Sequence, residues 1–477
     1  MCKRYYLLYM LILGGLLGSC SKFNDDINVD PNKPSTASNP QLLTYAISGL
    51  ASTIESPNGV LYAQQLSEKP YTDASRYTII SFDFYDLYTA YLANLQSILA
   101  SRTFADVEGS PANQQAVSRI LRAYYYWFMT DRWGDIPYKE ALQGKDNFTP
   151  RYDKQQDIYT DLFKELKEAA LQIDNGTPVK GDILFGGDMV KWKRFANSMR
   201  VLMALRLSKI DPAKGKTELN DAMTMGGFTG NADNVVYKHI AEAANENYWY
   251  NVFSVLNRRW YCISQPMVDF MRPLRDPRLP VFADKPDRAG VDYVGMPYGI
   301  TGDKAQNFPS DSVSYLGARI RAQDAPSYVM TYAQLLFAYA EAARIGWIPG
   351  GDGTAAGYYQ QAVTASVSQW TGSENGAATY LAQPGVSYDP ANALRQIGYQ
   401  RWVHLYMNGY EAWAEWRRTG FPLLQPAPDN GNVPIPRRQG YPVKERNINT
   451  AHYNDAVNAQ PGLNGRDDLN GRVWWDR

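Results

Sequence analysis

Two segments of the chain combine aromatic and polar side chains in a way that suits recognition of carbohydrates. The earlier segment, "EKPYTDASRYTIISFDFY", carries Tyr71, Asp73, Arg76 and Tyr77. A sugar ring presents C–H groups on its faces and hydroxyl groups on its edge, so an aromatic ring can stack on the face while polar side chains hydrogen-bond to the edge. The sequence therefore predicts that these four residues contact a glycan.

The later segment, "NENYWYNVFSVLNRRWY", begins at Asn245 and has the same mixed character. A third, weaker group of aromatic residues lies among glycine and proline residues and comprises Tyr293, Tyr298 and Tyr315. For any single aromatic residue, burial in the core is the alternative. The candidate ligand-binding residues from these two parts of the chain are Asn247, Trp249, Tyr250, Asn251, Trp260 and Tyr298.

We predict that the two segments meet in one aromatic platform, formed by Trp249 or Tyr250 together with Tyr71 or Tyr77. Neither segment has the regular spacing that marks a helical core stripe, which favours a role at the surface. The side chains expected to hydrogen-bond to the edge of the ligand are Asn247, Asn251, Arg76 and Asp73.

Residues arranged for catalysis are harder to find. The three histidines, His239, His404 and His452, lack metal-ligand spacing such as H-E-x-x-H, and no G-x-S-x-G nucleophile motif occurs. No strict calcium-binding loop appears either, so the sequence predicts no cofactor. A glycosidase carboxylate pair is not excluded by spacing alone.

One pair of carboxylates merits a separate interpretation. Glu411 and Glu415 in "NGYEAWAEWRRTG" are four residues apart, so they lie side by side on a helix and could form an acid–base pair. The favoured interpretation is structural: ion pairing with Arg417 and Arg418 nearby, with the neighbouring tryptophans packed in the core.

The N-terminus has the features of an export signal. Lys3 and Arg4 precede an apolar stretch of secretory length, and Gly18 and Ser19 precede Cys20. Leu17 to Cys20 resembles a bacterial lipobox, in which the cysteine is lipidated after cleavage. We therefore predict a signal peptide at residues 1–19, a lipid anchor on Cys20, and a flexible polar tether at residues 20–40.

Charge and cysteine content limit the partners further. The 477 residues include 48 basic and 48 acidic ones without a basic block, so nucleic acid is not an expected partner. Beyond the signal no apolar run approaches membrane-spanning length. Cys262 would be the one unmodified cysteine of the mature chain, which rules out an internal disulfide.

Periodic apolar residues predict the helices that position these segments. One pair of predicted helices brings Ala340 and Ala342 against Ala355, Tyr359 and Ala362, which resembles a tetratricopeptide helix pair. A long helix is predicted from about 391 to 418, an irregular insert at about 231–326, and a loop-rich tail at about 421–477, all in one domain of residues 41–477. The other clear stripes span Phe84–Leu99, Gln114–Met129, Ile158–Ile173 and Trp192–Leu205.

Several segments, taken in order, resemble the SusD/RagB family, and most closely its SusD-like lipoproteins. They are "NVDPNKPS", "DRWGDIPYKEAL", "KWKRFANSMRVLMALRLSKIDP", "DPRLPVFA", "NGYEAWAEWRRTGFP" and "RVWWDR". The resemblance implies a mostly α-helical fold with tetratricopeptide-like pairs and an irregular ligand-facing part. It also implies a surface lipoprotein of the outer membrane that covers a SusC-like TonB-dependent transporter and captures oligosaccharides or, in some members, peptides. Some members hold a calcium ion, which no motif of this chain supports.

The leading hypothesis is a non-catalytic surface lipoprotein that delivers glycans to such a transporter. The alternatives are a peptide-binding member of the same family, a lipid-anchored glycoside hydrolase with a helical fold, and a scaffold lipoprotein that uses its helix pairs.

Overall fold

Helices built on apolar stripes dominate the computed structural model, which describes residues 37–460 and 462–477. The predicted fold class, mostly α-helical with tetratricopeptide-like pairs, is confirmed. Among the described residues, no helix is both long enough and apolar enough to cross a membrane. The predicted signal peptide, the lipidation site Cys20 and all but the last four residues of the predicted tether lie outside the described residues.

Each predicted stripe lies on a helix, and local capping fixes several helix starts. At Met189, for example, the Asp188 carboxylate accepts hydrogen bonds from the N–H groups of Val190 and Lys191 at 3.0 and 3.1 Å. The helices are α1 (Asn39–Ile54), α2 (Pro57–Tyr62), α3 (Ala93–Ala100), α4 (Pro111–Trp133), α5 (Gln155–Gln172), α6 (Met189–Arg206), α7 (Pro212–Met225), α8 (Tyr248–Tyr250), α9 (Gln265–Met271), α10 (Leu279–Phe282), α11 (Gly302–Gln306), α12 (Tyr332–Arg344), α13 (Gly351–Thr371), α14 (Ala377–Leu381), α15 (Ala393–His404), α16 (Gly409–Thr419), α17 (Glu445–Ile448) and α18 (Thr450–Ala459).

Short turns of other helix types complete the helical part. π-helical turns span Leu87–Leu92 and Asn251–Val255, and 3₁₀ turns span Asp106–Glu108, Gly144–Asp146 and Asn231–Asp233. The first π-helical turn runs directly into α3, so the stripe predicted at Phe84–Leu99 is divided between two helix types.

The strands form three short antiparallel ribbons that tie distant parts of the chain together. They are β1 (Leu66–Glu68) with β5 (Tyr261–Ile263), β2 (Ile136–Pro137) with β3 (Tyr152–Asp153), and β4 (Val235–Tyr237) with β6 (Ser327–Met330). The β1–β5 ribbon pairs Glu68 with Tyr261, so it brings the two aromatic segments of the sequence side by side.

The tetratricopeptide-like pair consists of α12 and α13. Ala340, Ala342, Ala355 and Ala362 are fully buried between or beside these helices, and Tyr359 fills the space that their small side chains leave. Small residues let helix axes approach closely, which is the physical basis of this prediction. The consecutive helices α4 with α5 and α6 with α7 pack against each other as well.

The prediction of one long helix from about 391 to 418 is wrong. The chain forms α15 and α16 instead, separated by a break in which Met407 adopts a positive φ of 70°. The break turns Gly409 onto α2, where a Cβ on Gly409 would lie 2.0 Å from the Val60 nitrogen. A reciprocal Cβ on Gly59 would lie 2.6 Å from the Tyr410 nitrogen, so this helix crossing requires glycine on both sides.

A buried ion cluster joins five of the helices. Arg206 of α6 contacts Asp131 of α4 at 3.1 Å and Glu411 of α16 at 2.7 Å, and it also contacts Glu415. Arg401 and Arg418 bind the other oxygen of Glu415. Both arginines also pair with Glu341 of α12, at 2.8 Å for Arg401 and 2.5 Å for Arg418. Glu415 pairs with Arg418 as expected from the sequence, but Arg417 donates to the carbonyls of Arg437 and Asp131 instead, and the other partners of the two glutamates are distant in sequence.

The buried ion cluster shifts the pKa values of its two neighbouring glutamates in opposite directions. Burial opposes ionisation of Glu415, but the guanidinium groups of Arg401, Arg418 and Arg206 hold its pKa well below the ordinary value. Burial raises the pKa of Glu411 to about 7, because Arg206 compensates only part of the desolvation. Asp131 lies inside α4 and accepts a hydrogen bond from Trp475 Nε1 at 2.7 Å.

Glu415→Gln should strongly destabilise the fold. The substitution keeps the size of the side chain but removes the one carboxylate that all three buried guanidinium groups share, leaving Arg206 with Asp131 and Glu411, and the other two with Glu341 as their one carboxylate in the described chain. Removing one partner of a buried ion pair costs about 3–5 kcal/mol.

The matched control is Glu168→Gln, because Glu168 pairs with Arg119 at the surface and its side chain is 48% exposed; a loss below about 1 kcal/mol is expected there. Equal shifts of the two melting temperatures would contradict a dominant role for the buried cluster.

Candidate ligand-binding site

The β1–β5 ribbon places Tyr71 beside Trp260. Tyr71 lies three residues after β1, Trp260 immediately precedes β5, and the Lys69 N–H donates to the Trp260 carbonyl at 2.8 Å. The two rings are 4.9 Å apart between centroids at an angle of 73°. Tyr71 is 62% exposed and Trp260 is half-buried, so both rings are accessible to a ligand. The structure therefore brings together one predicted site residue from each segment.

Charged side chains lie next to the Trp260 ring and on the loop that carries Tyr71. The Arg258 guanidinium lies 4.7 Å from the centroid of the Trp260 ring, and the Lys69 ammonium donates to Ser310 Oγ at 2.8 Å. On the loop that carries Tyr71, Arg76 forms a 2.6 Å ion pair with the exposed carboxylate of Asp73. We call this region the Tyr71–Trp260 surface; it comprises Tyr71, Trp260, Lys69, Asp73, Arg76 and Arg258.

The buried side chain of Glu68 anchors the loop that carries Tyr71. One of its carboxylate oxygens accepts the backbone N–H of Ser75 at 2.8 Å, which closes the loop around Tyr71. Burial raises the pKa of Glu68 to about 7, although the hydrogen bonds from Ser75 act in the opposite direction. The loop is therefore anchored at both ends, through Glu68 and through the ribbon.

Tyr77 and Tyr298 do not belong to this surface. Tyr77 is 5% exposed and adopts a φ of 65°, with its ring 6.1 Å from Tyr62 in the core. Tyr298 is 7% exposed and donates its hydroxyl hydrogen to the Leu61 carbonyl at 2.7 Å. The structure thus contradicts a stacking role for either ring, because both rings are packed among neighbouring side chains in the core and are not accessible to a ligand.

The remaining residues of the later segment lie around α8. Asn247 caps this helix by accepting the Trp249 N–H at 2.8 Å, and Trp249 is only 2% exposed, with its ring 5.4 Å from Tyr261. Tyr250 is half-buried, and the Asn251 amide donates to Glu246 at 2.8 Å. The predicted platform is therefore wrong where it relies on Trp249 or Tyr77, because both rings are buried in the core, whereas a platform of Tyr250 with Tyr71 stays a prediction.

Asn247 and Trp249 instead line a separate cavity, which we call the Glu55 pocket. It is a small cavity that is partly open to solvent. Its walls come from several parts of the chain, and they include Glu55, Trp249, Arg319, Tyr328, Gln369 and Trp370. Sequence reasoning found Trp249 but missed the others, because they come from segments that are far apart in the sequence and share no motif.

Glu55 organises one side of this pocket. Its carboxylate accepts hydrogen bonds from His239 Nε2 at 2.5 Å, from Asn247 Nδ2 and the Tyr248 N–H at 3.2 Å each, and from the Ser327 hydroxyl. Burial disfavours a charged His239, yet the Glu55 carboxylate raises the pKa of the imidazole overall. Three of the four donors bind Oε1, and among the described residues Oε2 accepts only the Tyr248 N–H.

Two tryptophan substitutions should separate core from surface. Trp249→Ala is expected to lower the free energy of unfolding by about 3–5 kcal/mol, since it opens a cavity under the ribbon. Trp260→Ala should cost less, because its ring is only partly buried. Thermal or chemical denaturation of the two variants measures the difference, and a larger loss for Trp260→Ala would contradict this assignment.

Comparison with solved structures finds the same fold in many proteins. One, described as a chitin-binding protein, has a TM-score of 0.79 and 28% identity, covering 92% of this chain and 100% of its own. A SusD homologue from Bacteroides fragilis has a TM-score of 0.79 and 26% identity over 92% and 100% of the two chains. Another from Bacteroides uniformis has a TM-score of 0.78 and 25% identity over 91% and 99%.

Comparison with curated proteins gives no significant match. A family model does match: SusD-like, described as "Starch-binding associating with outer membrane", aligns with residues 31–442. This range covers most of the chain and includes the Tyr71–Trp260 surface and the Glu55 pocket. On this match, and in agreement with the fold, the chain belongs to the SusD-like family.

Proposed function

We propose that this protein is a non-catalytic, glycan-binding lipoprotein of the outer membrane that captures oligosaccharides on the Tyr71–Trp260 surface. The observation that carries the proposal is the accessible pair of rings at this surface, set among charged side chains on a chain of a starch-binding family. The chitin-binding description of a relative with 28% identity supports a glycan as the ligand class.

The geometry of the two rings suits a carbohydrate. Most of the Tyr71 side chain is exposed to water. Exposure of an apolar ring face to water costs free energy, and a ligand that covers the face would remove this cost. A sugar that stacks on one ring also meets the nearly perpendicular second ring, while its hydroxyl groups reach Asp73, Arg76 or Arg258. A sugar held by stacking on exposed rings can dissociate again, and uptake requires that the bound oligosaccharide be released.

A hydrolytic function has less support. Both oxygens of Glu415 and of Glu411 receive hydrogen bonds from buried arginines or Gln334, so neither carboxylate is free of protein partners, although Glu411 borders a cavity. An inverting or retaining glycosidase needs two carboxyl groups flanking the bound sugar. The arrangement of this pair therefore supports binding rather than hydrolysis.

The proposal extends to location and partner. Lipidation of Cys20 would anchor the chain, and the family description places its members in association with the outer membrane. The bound oligosaccharide would then pass to a SusC-like TonB-dependent transporter covered by this protein. The proposed assignment includes no cofactor and no nucleic-acid partner.

Replacing either exposed ring should weaken glycan binding without unfolding the protein. For a glycan identified on an array, Trp260→Ala and Tyr71→Ala should each cost about 2 kcal/mol, or roughly 30-fold in Kd by calorimetry. The matched control is Phe148→Ala, which removes a 78% exposed ring outside this surface and should leave Kd unchanged. Retained affinity in both variants would place the ligand elsewhere, and binding of peptides but no glycan on parallel arrays would favour the peptide-binding alternative.

Lipid anchoring can be tested in cells. Cys20→Ala should move the protein from the membrane fraction to the soluble fraction, because a lipoprotein is held by its acyl chains, each buried CH₂ contributing about 0.8 kcal/mol. Fractionation followed by immunodetection measures the distribution. A Cys20→Ala variant as firmly membrane-bound as the parent would contradict the anchor, and Cys262→Ala, which alters a fully buried cysteine, serves as control.

A further inference from the structure

Two basic side chains flank the Trp260 ring on the β1–β5 ribbon. The last pair of the ribbon is Glu68 with Tyr261, and the next residues on the two strands are Lys69 and Trp260. The Lys69 N–H donates to the Trp260 carbonyl at 2.8 Å, so these two residues face each other and their side chains lie on the same side of the ribbon. The Arg258 guanidinium lies 4.7 Å from the centroid of the Trp260 ring. Both cations therefore border the rings that are proposed to hold the glycan.

The donors of these two cations remain available to a ligand. A guanidinium that lies over an aromatic ring uses its face, whereas its N–H groups lie in its plane and can still bind an acceptor. Arg258 is exposed, and the Trp260 ring is the one partner of its side chain in the described part of the chain. The Lys69 ammonium has one described partner, the neutral Ser310 hydroxyl at 2.8 Å. Neither cation is thus paired with a carboxylate among the described residues.

A second guanidinium extends this positive strip along the ribbon. Arg259 is exposed, and its described side-chain partner is the ring of Tyr315, whose centroid lies 5.8 Å from the guanidinium carbon. Tyr315 forms a β-bridge with Cys262 of β5, so this ring belongs to the same part of the fold. Like charges this close together repel one another, and an anionic ligand would relieve the repulsion.

The carboxylates of the neighbouring loops are engaged elsewhere. Glu246 accepts the Asn251 amide at 2.8 Å, and the buried Glu68 accepts the Ser75 N–H. Asp287 lines a cleft with Arg259, where it offsets one positive charge. Positive charge therefore remains uncompensated beside the exposed rings. The other nearby carboxylates form ion pairs, which are Asp73 with Arg76, Asp284 with Arg321 and Asp311 with Arg288, at 2.6, 2.5 and 3.1 Å.

An acidic sugar matches the rings and the cations together. Its ring face can stack on an aromatic side chain, and its carboxylate or sulfate accepts charge-assisted hydrogen bonds, which are about twice as strong as neutral ones. A neutral hexose would leave the cations without a counter-charge. We propose that the Tyr71–Trp260 surface binds glycans that carry carboxylate or sulfate groups, with the acidic group held by Arg258 and Lys69. This inference rests on the proposed function, whose ligand it narrows to acidic glycans.

Matched pairs of oligosaccharides test the proposal. The first pair is the β-1,4-linked tetramers of mannuronate and of mannose, which share linkage and length and differ in the carboxylate. The second pair is the κ-carrageenan tetrasaccharide and its desulfated form, which differ in the sulfate. By calorimetry in about 50 mM salt, wild-type protein should bind the acidic member of at least one pair about tenfold more tightly. This preference should shrink to less than about threefold in 1 M salt, where charges are screened beyond about 3 Å.

Substitution of the two cations should abolish the preference. In the double variant Arg258→Gln with Lys69→Gln the ratio of the two affinities should fall to about one, because glutamine still donates hydrogen bonds but carries no charge. The matched control is Arg102→Gln, which removes an exposed arginine just after α3 and should leave the ratio unchanged. An equal loss of affinity for both members of a pair would overturn the proposal, since the two side chains would then act irrespective of charge.

The remaining outcomes separate the acidic ligand from the function. A preference in only one pair supports the proposal and identifies the acidic group as carboxylate or sulfate. Equal or tighter binding of the neutral member in both pairs, or a preference that persists in 1 M salt, overturns the acidic ligand and leaves glycan binding intact; the salt series uses wild-type protein and needs no variant. If neither pair binds, an array decides: tighter binding of acidic glycans supports the proposal, binding of neutral glycans alone overturns it, and binding of no glycan overturns the proposed function itself.

Discussion

Three arginine side chains meet the carboxylate of Glu415 in the interior of the protein, and the positions of both candidate sites follow from this contact. A buried carboxylate is tolerated only with well-placed charged partners. Arg206, Arg401 and Arg418 supply them from α6, α15 and α16, and Glu341 and Asp131 extend the cluster to α12 and α4. With α16 fixed in this way, the contact of Gly409 with Gly59 fixes α2, and α2 leads within four residues to β1.

The ribbon of β1 with β5 carries the proposed ligand-binding surface. Below the ribbon, Trp249 and Tyr261 fill the core; at its end, Tyr71 and Trp260 remain accessible. The Glu55 pocket lies where α1 ends and where α8, β6 and α13 converge.

Sequence patterns predicted the helices well, because apolar spacing reports burial directly. They also predicted that both aromatic segments contribute ligand-binding residues, but they did not predict which rings are exposed in the fold. Tyr71 and Tyr77 are equivalent by composition, and their fates differ because the Glu68 contact to Ser75 turns the loop. The break at Met407 went unpredicted because its cause, the approach of α2, comes from more than 300 residues away in the chain. Glu55 was missed for the same reason, since its role arises only from partners contributed by other elements.

The central claim is that glycans bind at the Tyr71–Trp260 surface, and a crystal structure of the protein with a bound oligosaccharide tests it most directly. The account predicts a sugar ring stacked on Tyr71 or Trp260, with hydroxyl groups within hydrogen-bond distance of Asp73, Arg76 or Arg258. An oligosaccharide bound on another face, with both rings still exposed to water, would contradict it.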